Sequence, residues 1–395
     1  MKAESMEPVV AGLSSKPRPG VVSQAHDLAK QIALPSPRMT MSVVAQFSFN
    51  PRFEIRFRWG KDGVCYDGRG TYHYRRAGVK RVQYVFPLFV CTSTFSRVGG
   101  DNNMFFLTYI CCKILAFVIR TIVRSQSSIS PKPDEVYQIK SRDAGRFIKA
   151  HVYRSKVPLK PAPILINFHG SGFVLPAHGA DDEYCRLISQ RTEYTVLDVQ
   201  YRLAPEHPFP AALNDVEDVV NWVLQQPREF DRSRIVLSGF SAGGNLALAA
   251  SSNLFRRETF YAVLTFYPPV DLYTEPGIKT APDPAGKPLP APLARFFDKC
   301  YIPSSHNSKD PRISPYYAQP ERFPDRVLII TAAGDGLALE AERLAVKLGQ
   351  DSGRKVVSQR MNGCNHGWNI SPKTPVEREA RDRAYDMVVA MLDRQ

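Results

Sequence analysis

The chain has 395 residues, 44% hydrophobic and 23% charged, which is typical of a globular protein with a full apolar core. The net charge is +14, but residues 1–130 hold 18 Lys and Arg against 7 Asp and Glu, whereas the remainder holds 34 against 31. The basic excess therefore belongs to the N-terminal third, and a strongly basic nucleic-acid-binding surface is excluded as the main feature of the rest.

Cysteine usage and the first residues indicate the compartment. Seven cysteines are scattered without a Cys-x-x-Cys pair or a histidine spacing suited to zinc, which predicts reduced thiols and no metal site. The first 30 residues contain acids and prolines but no apolar run, so a secretory signal is not expected. We therefore expect a reducing, cytoplasmic location.

Residues 1–100 are predicted to form a poorly defined, basic and largely disordered extension. Residues 1–40 are rich in Ser, Pro and small side chains without periodicity. Residues 50–100 mix Arg with aromatic residues, a combination that can bind single strands, but they lack any RNA-binding signature, so no nucleic-acid partner is expected. Short strands, or a wrongly assigned gene boundary, are the alternatives for this stretch.

Residues 101–130 are predicted to contain an amphipathic helix. Lys113 lies near the middle of its apolar stretch, where a charge would cost ~3 kcal/mol inside a bilayer. Lys113, Arg120 and Arg124 fall on one helical face. Residues 104–124 could therefore contact a membrane surface or form part of a cap over an active site, and we favour the cap because regular β and α patterns follow directly.

From residue 131 to 395, apolar β-branched runs alternate with helical patterns. This alternation predicts an α/β fold with a mostly parallel central sheet flanked by helices. A hairpin of strands 135–140 and 146–154, with its turn at residues 143–145, precedes the sheet. The predicted strands are 164–168, 195–199, 234–238, 262–266 and 327–331, and the predicted helices are 181–190, 215–224, 244–255 and 339–349.

The last predicted helix has a clear start. Thr374 is a natural N-cap, Pro375 suits the first helical position, and Glu377 completes a capping box. Apolar residues at helical spacing predict the buried stripe of this helix. These residues are Val376, Ala380, Ala384, Met387, Val388 and Met391.

Ser241 is the candidate nucleophile. It lies in a Gly-x-Ser-x-Gly string between Gly239 and Gly243, after a predicted strand and before a predicted helix. This context is what a nucleophile elbow requires, because the glycines let the chain turn tightly and lift the serine clear of the sheet. The string alone is weak evidence, but in this context it is strong.

A second glycine-rich loop follows the strand at 164–168 and runs from His169 through Gly170, Ser171 and Gly172. Such a loop can present backbone N–H groups to an oxyanion together with the N–H of Ala242. An ordinary strand-to-helix turn is the alternative for this loop alone. Its pairing with the elbow favours the oxyanion hole.

A serine nucleophile needs an acid and a base, which follow it in the order Asp then His in such folds. Asp335 follows the strand at 327–331, and His366 follows a strand at 356–360. Both positions lie at carboxyl ends of strands, where parallel sheets collect catalytic groups. The other seven histidines lie in the N-terminal region, in the hairpin or in loops without this placement.

Taken together, the motifs resemble those of the hormone-sensitive-lipase family of α/β-hydrolases, over residues 104–395. The resemblance implies carboxylic ester hydrolysis, no cofactor, and a cap made of N-terminal helices plus an insertion at about 271–314. The matching segments are 169–173 (His-Gly-Ser-Gly-Phe), 201–207 (Tyr-Arg-Leu-Ala-Pro-Glu-His), 210–212 with Asp215, 241–245 (Ser-Ala-Gly-Gly-Asn), 310–315 (Asp-Pro-Arg-Ile-Ser-Pro) and 365–367 (Asn-His-Gly).

Three positions depart from the family pattern. Ser171 replaces a usual glycine of the oxyanion motif and would adopt positive φ only at a cost. Phe240 precedes the nucleophile, where Asp or Thr is usual, and Asp335 is followed by Gly-Leu-Ala-Leu before Glu340. None of these departures removes a catalytic group.

Three functions remain open from the sequence. The first is a carboxylesterase that uses Ser241, His366 and Asp335 on a small-molecule ester. The second is an enzyme of specialised metabolism on the same scaffold that opens a lactone, dehydrates its substrate or cleaves a C–C bond. The third is a ligand receptor without turnover, which is disfavoured because nucleophile, base and acid are all present.

Overall fold

The computed structural model describes three short strands between residues 42 and 66, the helix Asp101–Gln126, and residues 129–351 and 353–393. The predicted tail at 1–40 lies outside the described residues, as does most of the stretch at 50–100. Strands β1 (Ser42–Gln46), β2 (Glu54–Arg58) and β3 (Cys65–Tyr66) pair in the order β1-β2-β3 and belong to a separate compact unit, Met1–Val98.

The second unit, Gly99–Gln395, contains all the candidate site residues. Its strands are β4 (Glu135–Lys140), β5 (Phe147–Tyr153), β6 (Ala162–Phe168), β7 (Thr195–Val199), β8 (Phe230–Phe240), β9 (Ala262–Phe266), β10 (Arg326–Ala332) and β11 (Lys355–Met361). Its α-helices are α1 (Asp101–Gln126), α2 (Asp182–Arg191), α3 (Ala211–Leu224), α4 (Ala242–Asn253), α5 (Ala291–Tyr301), α6 (Ala338–Leu348) and α7 (Pro375–Leu392). Single 3-10 turns lie at Arg257–Thr259, Pro276–Ile278, Pro315–Tyr317 and Pro320–Arg322.

The eight strands form one sheet in the order β11-β10-β9-β8-β6-β7-β5-β4. All neighbouring pairs from β11 to β7 are parallel, whereas β5 runs antiparallel to both β7 and β4. The predicted parallel sheet with a preceding hairpin is therefore confirmed.

Helices cover both faces of this sheet, because its central strands are apolar on both sides. In β8, Ile235 and Leu237 join the core that includes α3 and α4, whereas Val236 joins the core that includes α2 and α7. Every residue of β6 is buried. Near-continuous apolar strands are stable only in such a covered sheet.

The start of α7 agrees with its sequence signature, because Thr374 Oγ1 accepts from the Glu377 N–H while the Glu377 carboxylate accepts from the Thr374 N–H. The predicted buried stripe is wrong at one residue, because Val376 is half exposed. It lies in the first turn of α7, before the part of the helix where Ala384 and Val388 are fully buried.

Helix α1 does not present its whole charged face to solvent. The Arg120 guanidinium donates to both carboxylate oxygens of Glu206 and to the carbonyl oxygens of Val174 and Ala204. Phe117, by contrast, is 62% exposed. Across the described residues, none of the helices combines the length and the apolarity needed to cross a lipid bilayer.

Candidate active site

The three candidate catalytic residues follow strands of one sheet. Ser241 comes directly after β8, Asp335 follows β10, and His366 follows β11. Because these strands are parallel, their carboxyl ends meet at the same edge of the sheet, which brings residues that are far apart in sequence into one site.

Ser241 occupies a strained backbone position with φ 48° and ψ −117°. The turn that holds it requires the neighbouring glycines. A Cβ on Gly243 would overlap the carbonyl group of Phe168, and one on Gly239 would overlap the backbone of Gly243. The strain and the close packing present the serine side chain above the start of α4, as a nucleophile elbow does.

A hydrogen-bonded chain joins Ser241, His366 and Asp335. The Ser241 Oγ lies 2.9 Å from His366 Nε2, and His366 Nδ1 lies 2.6 Å from Asp335 Oδ2. Asp335 is 1% exposed, and its Oδ1 accepts from the Leu337 N–H at 3.1 Å. The carboxylate is therefore fixed on both oxygens and holds the imidazole with one nitrogen toward the serine.

The glycine-rich loop after β6 resolves the question about Ser171. Positive φ angles occur at Gly172 (54°) and Phe173 (62°), and Ser171 does not have one. A serine in this place therefore carries no backbone penalty. Gly172 is required for a second reason, because a Cβ there would meet the ring of Phe297 on α5 at 2.5 Å.

The Ser171 side chain stabilises the loop. Its Oγ accepts from the Phe173 N–H at 2.9 Å and lies 2.7 Å from the Tyr201 hydroxyl, which donates to the His169 carbonyl at 2.6 Å. Because the tyrosine proton goes to that carbonyl, the serine hydroxyl donates to the tyrosine oxygen. These three hydrogen bonds hold the glycine-rich loop in place.

Ala242 is the first residue of α4. The first N–H groups of a helix have no intrahelical acceptor, so the N–H of Ala242 is available to an anion, and the helix dipole favours negative charge there. The loop that contains Gly170 lies beside it, since a Cβ on Gly170 would lie within 3.6 Å of atoms of Phe240 and Ser241.

Aromatic residues pack around His366. The ring of Tyr267 lies 4.7 Å from the imidazole and 5.1 Å from the ring of Trp368. The Tyr267 hydroxyl donates to Asn369 Oδ1 at 2.5 Å, and Asn369 Nδ2 donates to the Tyr385 hydroxyl at 3.2 Å. Tyr267 has a φ of 40°, so a second strained residue lies next to the site.

A second cluster of titratable residues lies near His169 of the glycine-rich loop, whose ring centroid is 6.0 Å from that of His178. His178 Nε2 donates to the Asp198 carbonyl at 3.0 Å and lies 3.5 Å from its carboxylate. The rings of His151 and His178 are stacked with centroids 4.0 Å apart. Burial lowers the pKa of each of these histidines to about 4 and raises that of Asp198 to about 6.

These three side chains offer possible metal ligands within 4.8 Å of one another. The imidazoles of His151 and His178 are stacked on each other, with an interplanar angle of 29°. The His178 Nε2 proton is also already donated to a backbone carbonyl. Hydrogen bonds already engage His178 Nε2 and the Asp198 carboxylate, which favours a structural role for this pair, whereas His151 Nδ1 is buried without a hydrogen-bond partner among the described residues.

Comparisons with known proteins agree with this architecture. A family model described as alpha/beta hydrolase fold matches residues 165–370. An arylesterase of Saccharolobus solfataricus is 31% identical over 216 residues, which cover 53% of this chain and 70% of the relative. A chloroplastic tuliposide A-converting enzyme of Tulipa gesneriana is 27% identical, and its match covers 57% of this chain and 59% of that enzyme.

Among solved structures, a hyperthermophilic esterase from Pyrobaculum calidifontis has a TM-score of 0.61 at 30% identity, covering 71% of this chain and 97% of that one. The fold and the site define an α/β-hydrolase, and the chain belongs to its hormone-sensitive-lipase-like family. Within that family it is an esterase-type enzyme.

Sequence reasoning singled out the three residues of the hydrogen-bonded chain but not the residues that support them. Tyr201 lies in the segment 201–207, which resembles a family motif, so the sequence did mark this residue as a candidate. Tyr267 had no signal, because its contact with His366 links residues 99 positions apart and depends on the loop that follows β11.

Proposed function

We propose that the protein hydrolyses carboxylic esters through a Ser241–His366–Asp335 triad and a covalent acyl-enzyme. The observation that carries this proposal is the continuous hydrogen-bonded chain from Asp335 through His366 to the serine hydroxyl. The similar arylesterase and esterase support the same reaction class.

In the first half-reaction, His366 accepts the hydroxyl proton as Ser241 Oγ attacks the ester carbonyl carbon. The bond to the alcohol oxygen then breaks, and the imidazolium returns the proton to the leaving alcohol. In the second half, His366 deprotonates a water that attacks the acyl-enzyme, and the carboxylic acid leaves as Ser241 regains its proton. These residues supply the whole chemistry, so the mechanism requires no cofactor.

The backbone N–H groups of Ser171, Gly172 and Ala242 are proposed to hold the oxyanion. Loss of one such donor typically reduces kcat by about 10²-fold, so the rigid support of the loop by the Ser171–Tyr201 bond is part of the proposal.

The substrate is proposed to be a small-molecule ester that binds beneath a cap formed by α1 and the insertion at 271–314. Two contacts support the cap. Phe297 of α5 packs against Gly172 of the glycine-rich loop, and Arg120 of α1 forms an ion pair with Glu206. Lactone opening by the same residues is the neighbouring reaction that a substrate screen must separate. A cytoplasmic location remains a prediction.

Hydrolysis of short p-nitrophenyl esters tests the proposal. Replacing the nucleophile in Ser241→Ala should reduce kcat by roughly 10⁴-fold or more, because no other group can form the acyl-enzyme. Ser238→Ala is a matched control, since Ser238 is a buried serine near the end of β8, three residues before the nucleophile, and its Oγ bonds the Tyr184 hydroxyl instead. Undiminished turnover in Ser241→Ala would remove this serine from the mechanism.

A further inference from the structure

The acid loop (residues 333–337) and the base loop (residues 362–367) contact each other directly. The Gly334 N–H donates to the Cys364 carbonyl at 2.8 Å, and the Ala333 N–H donates to the Met361 carbonyl at 2.9 Å. These bonds lie between the carboxyl ends of β10 and β11. They set the distance between the residues that carry the carboxylate and the imidazole.

A segment of the cap insertion, residues 281–290, crosses both loops; we refer to it as the strap. The Asp283 N–H donates to the Ala333 carbonyl of the acid loop at 2.7 Å. Four residues later, the Lys287 N–H donates to Asn365 Oδ1 of the base loop at 2.7 Å. The strap therefore has one hydrogen bond to each loop.

The backbones of the strap and the acid loop are also in close contact. A Cβ on Gly286 would overlap the Cα of Gly334, and a Cβ on Gly334 would overlap the Asn365 side chain. Neither glycine has a positive φ angle. Glycine is therefore needed at both positions for close approach and not for backbone conformation.

The base of the insertion is anchored to the helix that follows the acid loop. Lys279 Nζ lies 2.6 Å from the Glu340 carboxylate on α6 and donates to the Asp271 carbonyl at 2.6 Å. Both charged side chains are about nine-tenths buried. The Glu340 carboxylate also accepts from the Val270 N–H, so the insertion is fixed where it leaves the core.

From these contacts we propose that the strap holds the acid and base loops in their catalytic spacing, with Asn365, Gly286 and Gly334 as positioning residues. The cap then has a second role besides covering substrate, because displacement of the strap would loosen the Asp335–His366 geometry. This inference rests on the proposed ester hydrolysis and adds to it a coupling between cap and triad.

The test compares Asn365→Ala with Lys287→Ala. Asn365→Ala removes the acceptor of the strap bond, and kcat should fall about tenfold with KM changed less than about twofold, since misplacement acts on the chemical step. The second-order rate of serine labelling by a fluorophosphonate should fall in parallel. Lys287→Ala keeps the backbone donor and should leave both rates unchanged.

A steric variant provides an independent arm. Gly286→Ala forces the strap away from Gly334 and should lower kcat and the labelling rate at least as much as Asn365→Ala. Gly353→Ala is its control, because the added Cβ meets only the tip of the Asp351 side chain. Circular dichroism identifies variants that do not fold; if Asn365→Ala is one of them, Lys287→Pro, which lacks the donor N–H, takes its place.

Unchanged kcat and labelling in the folded strap variants would overturn the inference. So would a rise in KM alone, because that result would assign the strap to substrate binding. A wild-type protein that neither hydrolyses esters nor becomes labelled would instead contradict the proposed function, so the two failures are distinguishable.

Discussion

Two histidine–aspartate pairs lie near the glycine-rich loop, and they differ in the second partner of each imidazole. In the first pair, His366 bonds the Asp335 carboxylate through Nδ1 and faces Ser241 with Nε2. In the second, His178 uses Nε2 for the Asp198 backbone carbonyl and stacks on His151. The same residue types are thus placed in two different electrostatic settings.

Exposure separates the pairs further. The His366 side chain is 19% exposed, so a substrate and a proton can reach it, whereas the His178 side chain is 9% exposed. Burial lowers the pKa of His178 to about 4, so this imidazole stays neutral at physiological pH. The two imidazoles therefore differ in their second partner, which is the Ser241 hydroxyl for His366 and a backbone carbonyl for His178.

Removing each histidine should give the largest contrast between the pairs. His366→Ala should lower kcat for p-nitrophenyl esters by roughly 10⁴-fold or more, because the serine loses its base. His178→Ala should keep kcat within about tenfold and instead lower the free energy of unfolding by about 1–3 kcal/mol, through a lost buried hydrogen bond. Steady-state kinetics and urea unfolding measure the two effects; comparable kcat losses in both variants would erase the distinction.

A smaller effect is expected where the two regions meet. The ring of His169 stacks on Tyr201 at 4.4 Å, and the Tyr201 hydroxyl bonds both the His169 carbonyl and Ser171. Tyr201→Phe keeps the ring but removes the hydroxyl that holds the glycine-rich loop in place. We expect kcat to fall about tenfold at nearly constant KM, since one hydrogen bond contributes about 1 kcal/mol. A change confined to KM would show that the hydroxyl affects substrate binding and does not act through the glycine-rich loop.

The smallest effect concerns pH-dependent stability. His151 has a pKa of about 4 in the fold against about 6.5 in the unfolded chain, so between these values the unfolded state binds the extra proton. The wild type therefore loses stability as pH falls from about 6.5 to about 4, by at most about 3 kcal/mol through this group. The groups that face it are His178, Asp198, Lys149 and Asp182.

His151→Phe removes this proton-linked loss while retaining a ring against His178. The difference in unfolding free energy between variant and wild type should therefore shift in favour of the variant as pH falls. Asp198 is present in both proteins, and the charge of His151 holds its pKa down, so the substitution should raise that pKa further and favour the variant in the same direction as pH falls. Denaturant unfolding at several pH values measures it; a pH-independent difference would show that His151 does not titrate as its burial implies.

Much of the sheet could be predicted from sequence because its physical signal is local. The runs at 195–199 and 262–266 coincide with β7 and β9, because short apolar runs rich in β-branched residues favour strands that are covered on both faces. The spacing of Ser241, Asp335 and His366 along the chain could be interpreted for the same reason: parallel strands end at one edge. Their catalytic roles remain the proposal made above.

The rest depended on contacts that no local pattern encodes. Helix α3 begins at Ala211, four residues before the predicted start, because the apolar pattern does not show where the preceding loop ends. The orientation of α1 was not predictable either, since the hydrogen bonds of Arg120 depend on carbonyl groups exposed by a distant loop. The approach of Gly286 to Gly334 joins residues 48 positions apart and leaves no periodic signal.

Covalent labelling of the wild-type protein tests the central claim most directly. After reaction with a fluorophosphonate, peptide mapping by mass spectrometry should find one adduct per chain, on Ser241, and His366→Ala should slow its formation by orders of magnitude because the serine is then not activated. An adduct on another residue, or equally fast labelling without His366, would contradict the assignment of Ser241 as the nucleophile activated by His366.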